Sequence, residues 1–405
     1  MFDVNEIRKD FSLINGQTLA YLDNSATSQK PQAVLDAVAD FYKNDNANPF
    51  RGNYDLSVRA TEAYEGAREE TAKFLNADMS EIIFTRNASE SLNLAAYCLG
   101  EMVLKEGDEV VVTVEEHHSN MLPWRAAAKR AGATVKYIDV DINGLITPEM
   151  VRDALTEKTK ILAMTQISNI IGRENDLKTF AQICHSNGTL LVGDGAQSVP
   201  HIPVDVKDLD VDFLAFSGHK MLAPMGIGVL YGKKELLEKM PPYMTGGEMI
   251  DVVMKDRIVY KEPPYKFEAG TVNAGAAVGL AAAIRYLKAI GFEDVEKREN
   301  ALAEQMLEGM KKIPYVTVIG SDKAEEHHGI LTFKVEGVHP HDVSAIFAEN
   351  DVAVRAGHHC AQPLHAQLGI PSSTRASLMF YNTEEEVDRF LKVLVKIRKE
   401  MGYAE

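Results

Sequence analysis

Polar and ionisable side chains stand at the ends of several predicted strands in the middle of the chain. They are His117 after DEVVVTVEE, Asn169 after KILAMTQIS, Asp194 and Gln197 in GDGAQ after GTLLV, and Ser217, His219 and Lys220 at the end of VDFLAFSGHK. The carboxyl ends of parallel strands meet at one edge of a sheet, where ligands bind. Each residue alone is more often a structural loop residue, but their common position predicts a site.

An acid, an imidazole, hydroxyls and a lysine at one sheet edge suit pyridoxal phosphate. Lys220 would form a Schiff base with the cofactor's aldehyde. Asp194 ends a buried strand and would keep the pyridine nitrogen protonated, which makes the ring an electron acceptor. His117 would stack on the face of the ring, and Gln197 would hydrogen-bond the phenolic oxygen.

The cofactor's phosphate would need backbone amides at the start of a helix, together with hydroxyl groups. The segment RNASES (86–91) follows a predicted strand and opens a predicted helix, with Ser89 as the best hydroxyl donor. Ser217 and His219 would add to the phosphate site. The alternative interpretation of the segment is a helix cap that binds no ligand.

Strand-like and helix-like segments alternate from about residue 81 to residue 232, with several short, continuously apolar strands. This pattern predicts an α/β domain with a mostly parallel sheet that is covered on both faces. The last two predicted strands are close in sequence and would pair antiparallel. We expect an N-terminal segment (1–20) packed on the small domain, a large cofactor-binding domain (21–280) and a small α+β domain (281–405).

Composition excludes several classes of function. The 405 residues carry a net charge of −16, which disfavours non-specific binding to nucleic acid or anionic membranes. We expect no signal peptide and no spanning helix, and the three separated cysteines favour a reducing compartment, the cytoplasm. CxxC and HExxH patterns are absent, so no metal site is predicted, and no Gly-x-Gly-x-x-Gly follows a strand as a dinucleotide site would require.

Nine segments in order carry a resemblance to a known family. They are LDNSAT (22–27), NASES (87–91), EHHSNMLPW (116–124), SNIIG (168–172), DGAQ (194–197), SGHKMLAPMGIGVLY (217–231), FEAGTVN (267–273), RAGHHCAQP (355–363) and RASLMFYNT (375–383). Together they resemble class-V enzymes of the pyridoxal-phosphate-dependent transferase fold type I. More narrowly, RAGHHCAQP is similar to the cysteine segment of SufS-like, second-group cysteine desulfurases.

The resemblance implies further roles for single residues. Cys360 would be the nucleophile, and Arg375 would bind the substrate carboxylate. Asn169 and Arg355 would lie near the substrate. Thr271 would reach the phosphate of a neighbouring subunit, which implies a homodimer.

The resemblance also implies an activity. L-Cysteine would be converted to L-alanine, with its sulfur left as a persulfide on Cys360 for iron–sulfur cluster assembly. A SufE-like or SufU-like protein would accept that sulfur. Selenocysteine lyase and cysteine-sulfinate desulfinase activities use nearly the same site and remain alternatives, as does a catalytically idle assembly scaffold.

Overall fold

The structure, a computed structural model, describes residues 2–141 and 143–403. Its helices are α1 (Val4–Arg8), α2 (Gln32–Asn44), α3 (Asp55–Leu75), α4 (Ala88–Val103), α5 (Leu122–Ala131), α6 (Pro148–Ala154), α7 (Leu177–Ser186), α8 (Val206–Leu209), α9 (Lys234–Lys239), α10 (Ala274–Ile290), α11 (Phe292–Lys311), α12 (Pro340–Glu349), α13 (Gln362–Gln367), α14 (Glu384–Leu394) and α15 (Ile397–Glu400). Its strands are β1 (Ala20–Tyr21), β2 (Ile82–Thr85), β3 (Glu109–Thr113), β4 (Thr134–Ile138), β5 (Thr159–Thr165), β6 (Leu190–Asp194), β7 (Phe213–Ser217), β8 (Gly228–Gly232), β9 (Ile250–Val253), β10 (Ile258–Tyr260), β11 (Val316–Ile319), β12 (Ile330–Val335), β13 (Val352–Ala353), β14 (Arg355–Gly357) and β15 (Ser373–Ser377).

A seven-stranded sheet forms the centre of the larger part of the molecule, in the order β2-β8-β7-β6-β5-β3-β4. The pairs from β7 through β6, β5 and β3 to β4 are parallel. Only β8 runs the other way, antiparallel to β7 and β2. The predicted α/β class, the mostly parallel sheet and the antiparallel pairing of the last two strands are therefore confirmed.

Both faces of this sheet are covered, which explains its continuously apolar strands. In β3, Val110 and Val112 face one apolar cluster, which contains Trp124 of α5, whereas Val111 faces the other. Successive side chains on a strand point to opposite faces, so a strand buried on both sides needs an apolar residue at every position. Helices α4 and α5 cover the first face, and the second cluster includes residues of α2, α3 and α10.

A second, four-stranded antiparallel sheet has the order β11-β12-β15-β14. Its core cluster contains Phe333, Phe347 and Phe390, the last two stacked with ring centroids 4.8 Å apart. Thr383 caps α14 through a capping box with Glu386. This sheet carries two chemically important residues, Arg355 on β14 and Arg375 on β15.

No single helix among residues 2–141 and 143–403 is long and apolar enough to cross a membrane. One bent pair, Ala274–Ile290 with Phe292–Lys311, meets the length and composition criteria only when its two helices are taken together, at an angle of 77°.

Candidate active site

A cavity of about 680 Å³ opens beyond the carboxyl ends of the parallel strands, between the two sheets. It brings together every predicted site residue except Thr271. These residues are Ser89, His117, Asn169, Asp194, Gln197, Ser217, His219, Lys220, Arg355, Cys360 and Arg375. They come from segments up to about 290 residues apart, and the sheet edge is the element that assembles most of them.

Lys220 ends a short 3-10 turn that follows β7 directly. Burial lowers the pKa of its amine to about 8, although the Asp194 carboxylate opposes this shift. A pKa near 8 leaves a substantial fraction of the amine unprotonated near neutral pH. Lys220 is therefore suited to nucleophilic attack on a carbonyl and to proton transfer.

Asp194 is the last residue of β6 and is 4% exposed. One of its carboxylate oxygens accepts a hydrogen bond from the backbone N–H of Ala196, at 3.0 Å. Burial raises the pKa of Asp194, although the hydrogen bond from Ala196 and the positive charge of Lys220 oppose this shift. A buried carboxylate of this kind favours a cationic partner in the cavity, such as a protonated ring nitrogen.

His117 directly precedes a 3-10 turn, and its Nδ1 accepts a hydrogen bond from Ser119 N at 3.1 Å. Burial, reinforced by the positive charge of Lys220, lowers the pKa of His117 to about 3. The ring is therefore neutral, and its proton lies on Nε2 because Nδ1 accepts a hydrogen bond. A neutral, flat ring at this place is suited to stack on an aromatic cofactor.

The buried Glu116 holds the turn that carries His117. It accepts hydrogen bonds from Thr113 Oγ1 at 2.7 Å, from Thr165 N at 2.9 Å and from Asn120 Nδ2. Burial raises its pKa well above the usual value for glutamate. Glu116 thus ties the end of β3 to the end of β5.

The N-terminus of α4 faces the cavity through Asn87, Ala88 and Ser89. Asn87 is the N-cap of α4, since its side chain accepts from Glu90 N at 3.0 Å. The predicted helix cap is therefore present, and it does not exclude a ligand at the same helix end. Ser217 Oγ accepts from Ala88 N at 2.8 Å, which fixes the side chain at the helix start and leaves its hydroxyl proton free to donate. The 16-residue helix places its positive end at the cavity, as an anion site requires.

Ser89 and His219 complete this end of the cavity. Ser89 is exposed and its Oγ lies 2.6 Å from Ser119 Oγ. Burial, with the positive charges of Lys220 and Lys30, lowers the pKa of His219 to about 4. Both residues can therefore donate a hydrogen bond to an anion without carrying charge themselves.

Cys360 is exposed on a loop with an unusual backbone. His359 and Cys360 both have positive φ, 48° and 58°, a conformation that residues with a Cβ rarely adopt. The loop is held from the large sheet, because Asn169 Nδ2 donates to His359 O at 2.8 Å and His118 N donates to Cys360 O at 2.7 Å. Asn169 therefore anchors the cysteine loop in addition to lining the cavity.

The two arginines predicted to bind substrate have different surroundings. Arg355 is half exposed and makes a two-pronged ion pair with Asp23, with Nη2 to Oδ2 at 2.7 Å and Nε to Oδ1 at 3.0 Å. Arg375 is 3% exposed, donates through Nη1 to Asn169 O at 2.8 Å, and leaves Nε without a partner. Arg375 is thus the arginine that remains available to an anion.

Pyridoxal phosphate can be tested against the residues present. Gln197 Oε1 and Arg375 Nε are buried without partners in the cavity wall, and such groups cost roughly 1–3 kcal/mol each unless a ligand satisfies them. A lysine amine, a buried carboxylate, a neutral imidazole and a helix N-terminus all face the same space. This donor set matches the aldehyde, ring nitrogen, ring face and phosphate of the cofactor.

Several cavity residues lie outside the predicted set. They are Ser25, Ala26, Asn87, Ala88, His118, Ser119, Thr165, Ala196, Ala356, His358, His359 and Gln362. All of them except Thr165 lie within the nine segments that carry the family resemblance. Asp23, which pairs with Arg355, lies in the quoted segment LDNSAT. The pairing itself could not be predicted, because the two residues are more than 300 positions apart and no local sequence pattern connects them.

Thr271 is exposed and does not line this cavity. It lies in the loop before α10, where Gly270 has a φ of 85° and Asn273 caps the helix. Asn273 Nδ2 also donates to Gly226 O at 3.0 Å, which fixes the loop beside the turn before β8. The predicted role of Thr271 therefore requires a second subunit.

Comparisons with known proteins are consistent across sequence and structure. The family model for aminotransferase class-V matches residues 20–390. A probable cysteine desulfurase of Halalkalibacterium halodurans is 46% identical over 406 residues, with 99% of each chain covered. The apo structure of a cysteine desulfurase from Thermococcus onnurineus has a TM-score of 0.95 at 40% identity, and the S-sulfonic acid form of the cysteine desulfurase CsdA from Escherichia coli has 0.91 at 37% identity. Each of these two covers 99% of both chains.

Proposed function

Because the chain belongs to the aminotransferase class-V family, we propose that it is a pyridoxal-phosphate-dependent cysteine desulfurase. Its substrate is L-cysteine, and its products are L-alanine and a persulfide on Cys360. The observation that carries this proposal is an exposed cysteine in the same cavity as Lys220, Asp194 and Arg375. A lysine and an acid alone would suit many reactions of this family, whereas the thiol selects sulfur transfer.

Each residue has a defined task in this reaction. When bound, pyridoxal phosphate supplies an aldehyde that links to an amine and a ring that accepts electrons from the substrate's Cα. Asp194 holds the proton of the ring nitrogen, and neutral His117 packs on the ring face. Gln197 would donate to the phenolic oxygen through the second hydrogen of Nε2, whose first hydrogen bonds Ser25 O. Ser89, Ser217, His219 and the amides of α4 hold the phosphate.

Substrate binding and sulfur transfer use the other side of the cavity. Arg375 binds the substrate carboxylate, and Lys220 Nζ removes the proton from Cα. The Cys360 thiolate attacks the substrate sulfur, so an S–S bond forms while the Cβ–S bond breaks. Its electron pair stays on the carbon skeleton, which takes up a proton to become alanine. One cysteine and one protein thiol thus give one alanine and one persulfide, and no external oxidant is required.

Mass spectrometry after treatment of the cofactor-loaded enzyme with L-cysteine tests this function. We expect a mass increase of one sulfur atom on Cys360, and its absence in Lys220→Ala. Cys98→Ser serves as the matched control, since that buried thiol lies outside the cavity, and it should leave the persulfide unchanged. A persulfide on Cys98 or Cys184 with Cys360 unmodified would contradict the proposal.

Finer assignments extend the proposal. The short segment RAGHHCAQP supports membership of the SufS-like second group, and the exposure of Cys360 supports delivery of sulfur to a SufE-like or SufU-like acceptor protein for iron–sulfur assembly. All three cysteines are free thiols, which supports a cytoplasmic location. Transfer of labelled sulfur from Cys360 to each purified acceptor identifies which class is used.

A homodimer is the further part of the proposal, and Thr271 supports it. This residue is exposed and remote from the cavity of its own chain, so a role at a phosphate requires another copy. Mixing Lys220→Ala with Thr271→Ala chains tests the arrangement by measuring cofactor binding in the hybrid. One restored and one doubly impaired site are expected, while two singly impaired sites, one lacking only Lys220 and the other only Thr271, would contradict it.

A further inference from the structure

Four buried polar atoms without a partner identify where ligands contact the cavity wall. Among the described residues, nine buried side-chain nitrogen or oxygen atoms have no hydrogen-bond partner, and four belong to residues that line this cavity. The four are Ser25 Oγ, Gln197 Oε1, His359 Nδ1 and Arg375 Nε. Gln197 and Arg375 already have roles in the proposed function, whereas the hydroxyl of Ser25 has none.

Ser25 is held rigidly by its backbone, which leaves only its hydroxyl free. Its N–H donates to Ser377 Oγ at 2.9 Å, and its carbonyl accepts from Gln197 Nε2 at 3.1 Å. The residue is 3% exposed, so bulk water does not satisfy its hydroxyl. A fixed hydroxyl in a cavity wall is preorganised for a ligand atom.

The contacts of Ser25 place it on the same side of the cavity as Arg375. Ser377 and Arg375 are two residues apart on β15, so their side chains share one face of the strand. Ser25 N is bonded to the Ser377 hydroxyl on that face. The neighbouring Asp23 forms an isolated bridge with Ser377 and lies 3.8 Å from Arg375 Nη2.

Arg375 uses part of its guanidinium to bind other groups of the protein. Its Nη1 donates to Asn169 O, its Nη2 lies 3.8 Å from the carboxylate of Asp23, and its Nε has no partner. A carboxylate has two oxygen atoms, and each needs a donor when it is removed from water. The Ser25 hydroxyl lies on the same side of the cavity and would add a neutral donor to those of Arg375, whose Nη2 also faces the Asp23 carboxylate.

We propose that the Ser25 hydroxyl is a substrate-positioning group that donates a hydrogen bond to the α-carboxylate of the amino-acid substrate bound by Arg375. The proposal rests on the proposed function, since it names a second contact for the same substrate. Arg375 supplies the charge and Ser25 fixes the orientation of the carboxylate. The hydroxyl does not take part in the bond-breaking steps.

The test compares Ser25→Ala with Ser25→Thr in the cofactor-loaded enzyme. Loss of a hydrogen bond to a charged group predicts a rise in the KM for L-cysteine of about tenfold in Ser25→Ala, with kcat nearly unchanged. Ser25→Thr keeps a hydroxyl and should restore most of the affinity. Titration of the cofactor's absorbance with L-alanine should show the same loss, whereas ethylamine, which lacks the carboxylate, should bind equally to both enzymes.

Ser198→Ala is the matched control, because Ser198 is a buried serine outside the cavity whose hydroxyl is bonded to Gln166 Oε1 at 2.6 Å. It should leave the KM and the alanine affinity unchanged. Unaltered alanine affinity in Ser25→Ala, an equal loss for ethylamine, or a weaker affinity for the cofactor itself would each overturn the proposal. If the wild type binds alanine but makes none from cysteine, only the proposed function fails.

Discussion

The three cysteines differ in burial, and this difference decides which thiol can react. Cys98 lies in α4 and Cys184 in α7, and both are buried. Burial raises the pKa of each of these thiols to about 12. Cys360 is exposed on the wall of the cavity. Since the thiolate is the reactive form, the two buried cysteines are inert at neutral pH.

Alkylation of the native, cofactor-loaded protein with iodoacetamide at pH 7.5 should therefore modify one thiol per chain. We expect peptide mapping to find the label on Cys360, and Cys360→Ser to remove nearly all labelling. Cys98 and Cys184 should react only after denaturation, which supplies the control within each sample. Rapid labelling of Cys184 in the native protein would contradict the burial argument.

At the residue scale, the sequence predicted the positions of the residues that follow strands, but it did not predict which side chains bond to each other. Lys220, Asp194 and His117 could be placed because a strand end predicts a position at the sheet edge. The ion pair between Asp23 and Arg355 could not, since 332 residues separate the partners. The lack of a partner for the Ser25 hydroxyl also could not be predicted, because it depends on which neighbouring groups bond the backbone of Ser25.

At the scale of elements, the hydrophobic pattern predicted the strands of the central sheet, but several other elements were not predicted. The seven strands of the sheet lie between about residue 81 and residue 232, where strand-like and helix-like segments were predicted to alternate. Helices α2 and α3 and the hairpin β9–β10 were not predicted. The hairpin residues Ile258, Val259 and Tyr260 are all exposed, so no alternation of buried and exposed positions marks this strand.

A buried ion pair connects three of these elements. Arg68 on α3 makes two bonds of 2.8 Å to the Glu268 carboxylate in the loop before α10. The same carboxylate accepts from Phe84 N on β2 at 2.7 Å and from Tyr64 OH at 2.8 Å. Glu268 thus ties the strand before α4 to the loop that carries Thr271.

Glu268→Ala should lower the free energy of unfolding by about 3 kcal/mol, because the buried Arg68 guanidinium then keeps a single carboxylate partner, Glu65, at 3.2 Å. Urea unfolding of the loaded enzyme, followed by circular dichroism, measures this change. Glu69→Ala removes the carboxylate of an exposed pair with Lys73 on the same helix, at 2.7 Å, and should have no measurable effect. Similar losses in both variants would contradict the role of burial.

At the scale of the whole molecule, the active site lies between the two sheets, so its geometry depends on how they are joined. Arg375 Nη1 bonds Asn169 O, and Thr332 Oγ1 donates to Ile170 O at 2.6 Å, which links the second sheet to the loop after β5. We propose that the large domain ends near residue 280 and that residues 1–20 pack on the small domain. Helix α10 spans residue 280, and limited proteolysis would locate the boundary.

His328 is a titratable residue that connects the second sheet to the loop after β5. It lies in the turn before β12, its Nδ1 donates to Gly172 O at 3.0 Å, and its Nε2 lies 3.5 Å from the Glu174 carboxylate. Glu296 of α11 adds a second negative charge. Burial opposes protonation, but Glu174, the Gly172 carbonyl and Glu296 together raise the pKa of His328 above its usual 6.5.

A histidine whose pKa is raised by folding stabilises the folded state fully below pH 6.5, and this contribution is lost as the pH rises through the folded pKa. We therefore expect the wild type to have a Tm a few degrees above that of His328→Asn at pH 6. This difference should shrink as the pH rises to 8.5. Differential scanning fluorimetry of the loaded enzymes measures this. The exposed His341→Asn should follow the wild type at both pH values. A difference between wild type and His328→Asn that does not change with pH would show that His328 stabilises the junction through packing alone.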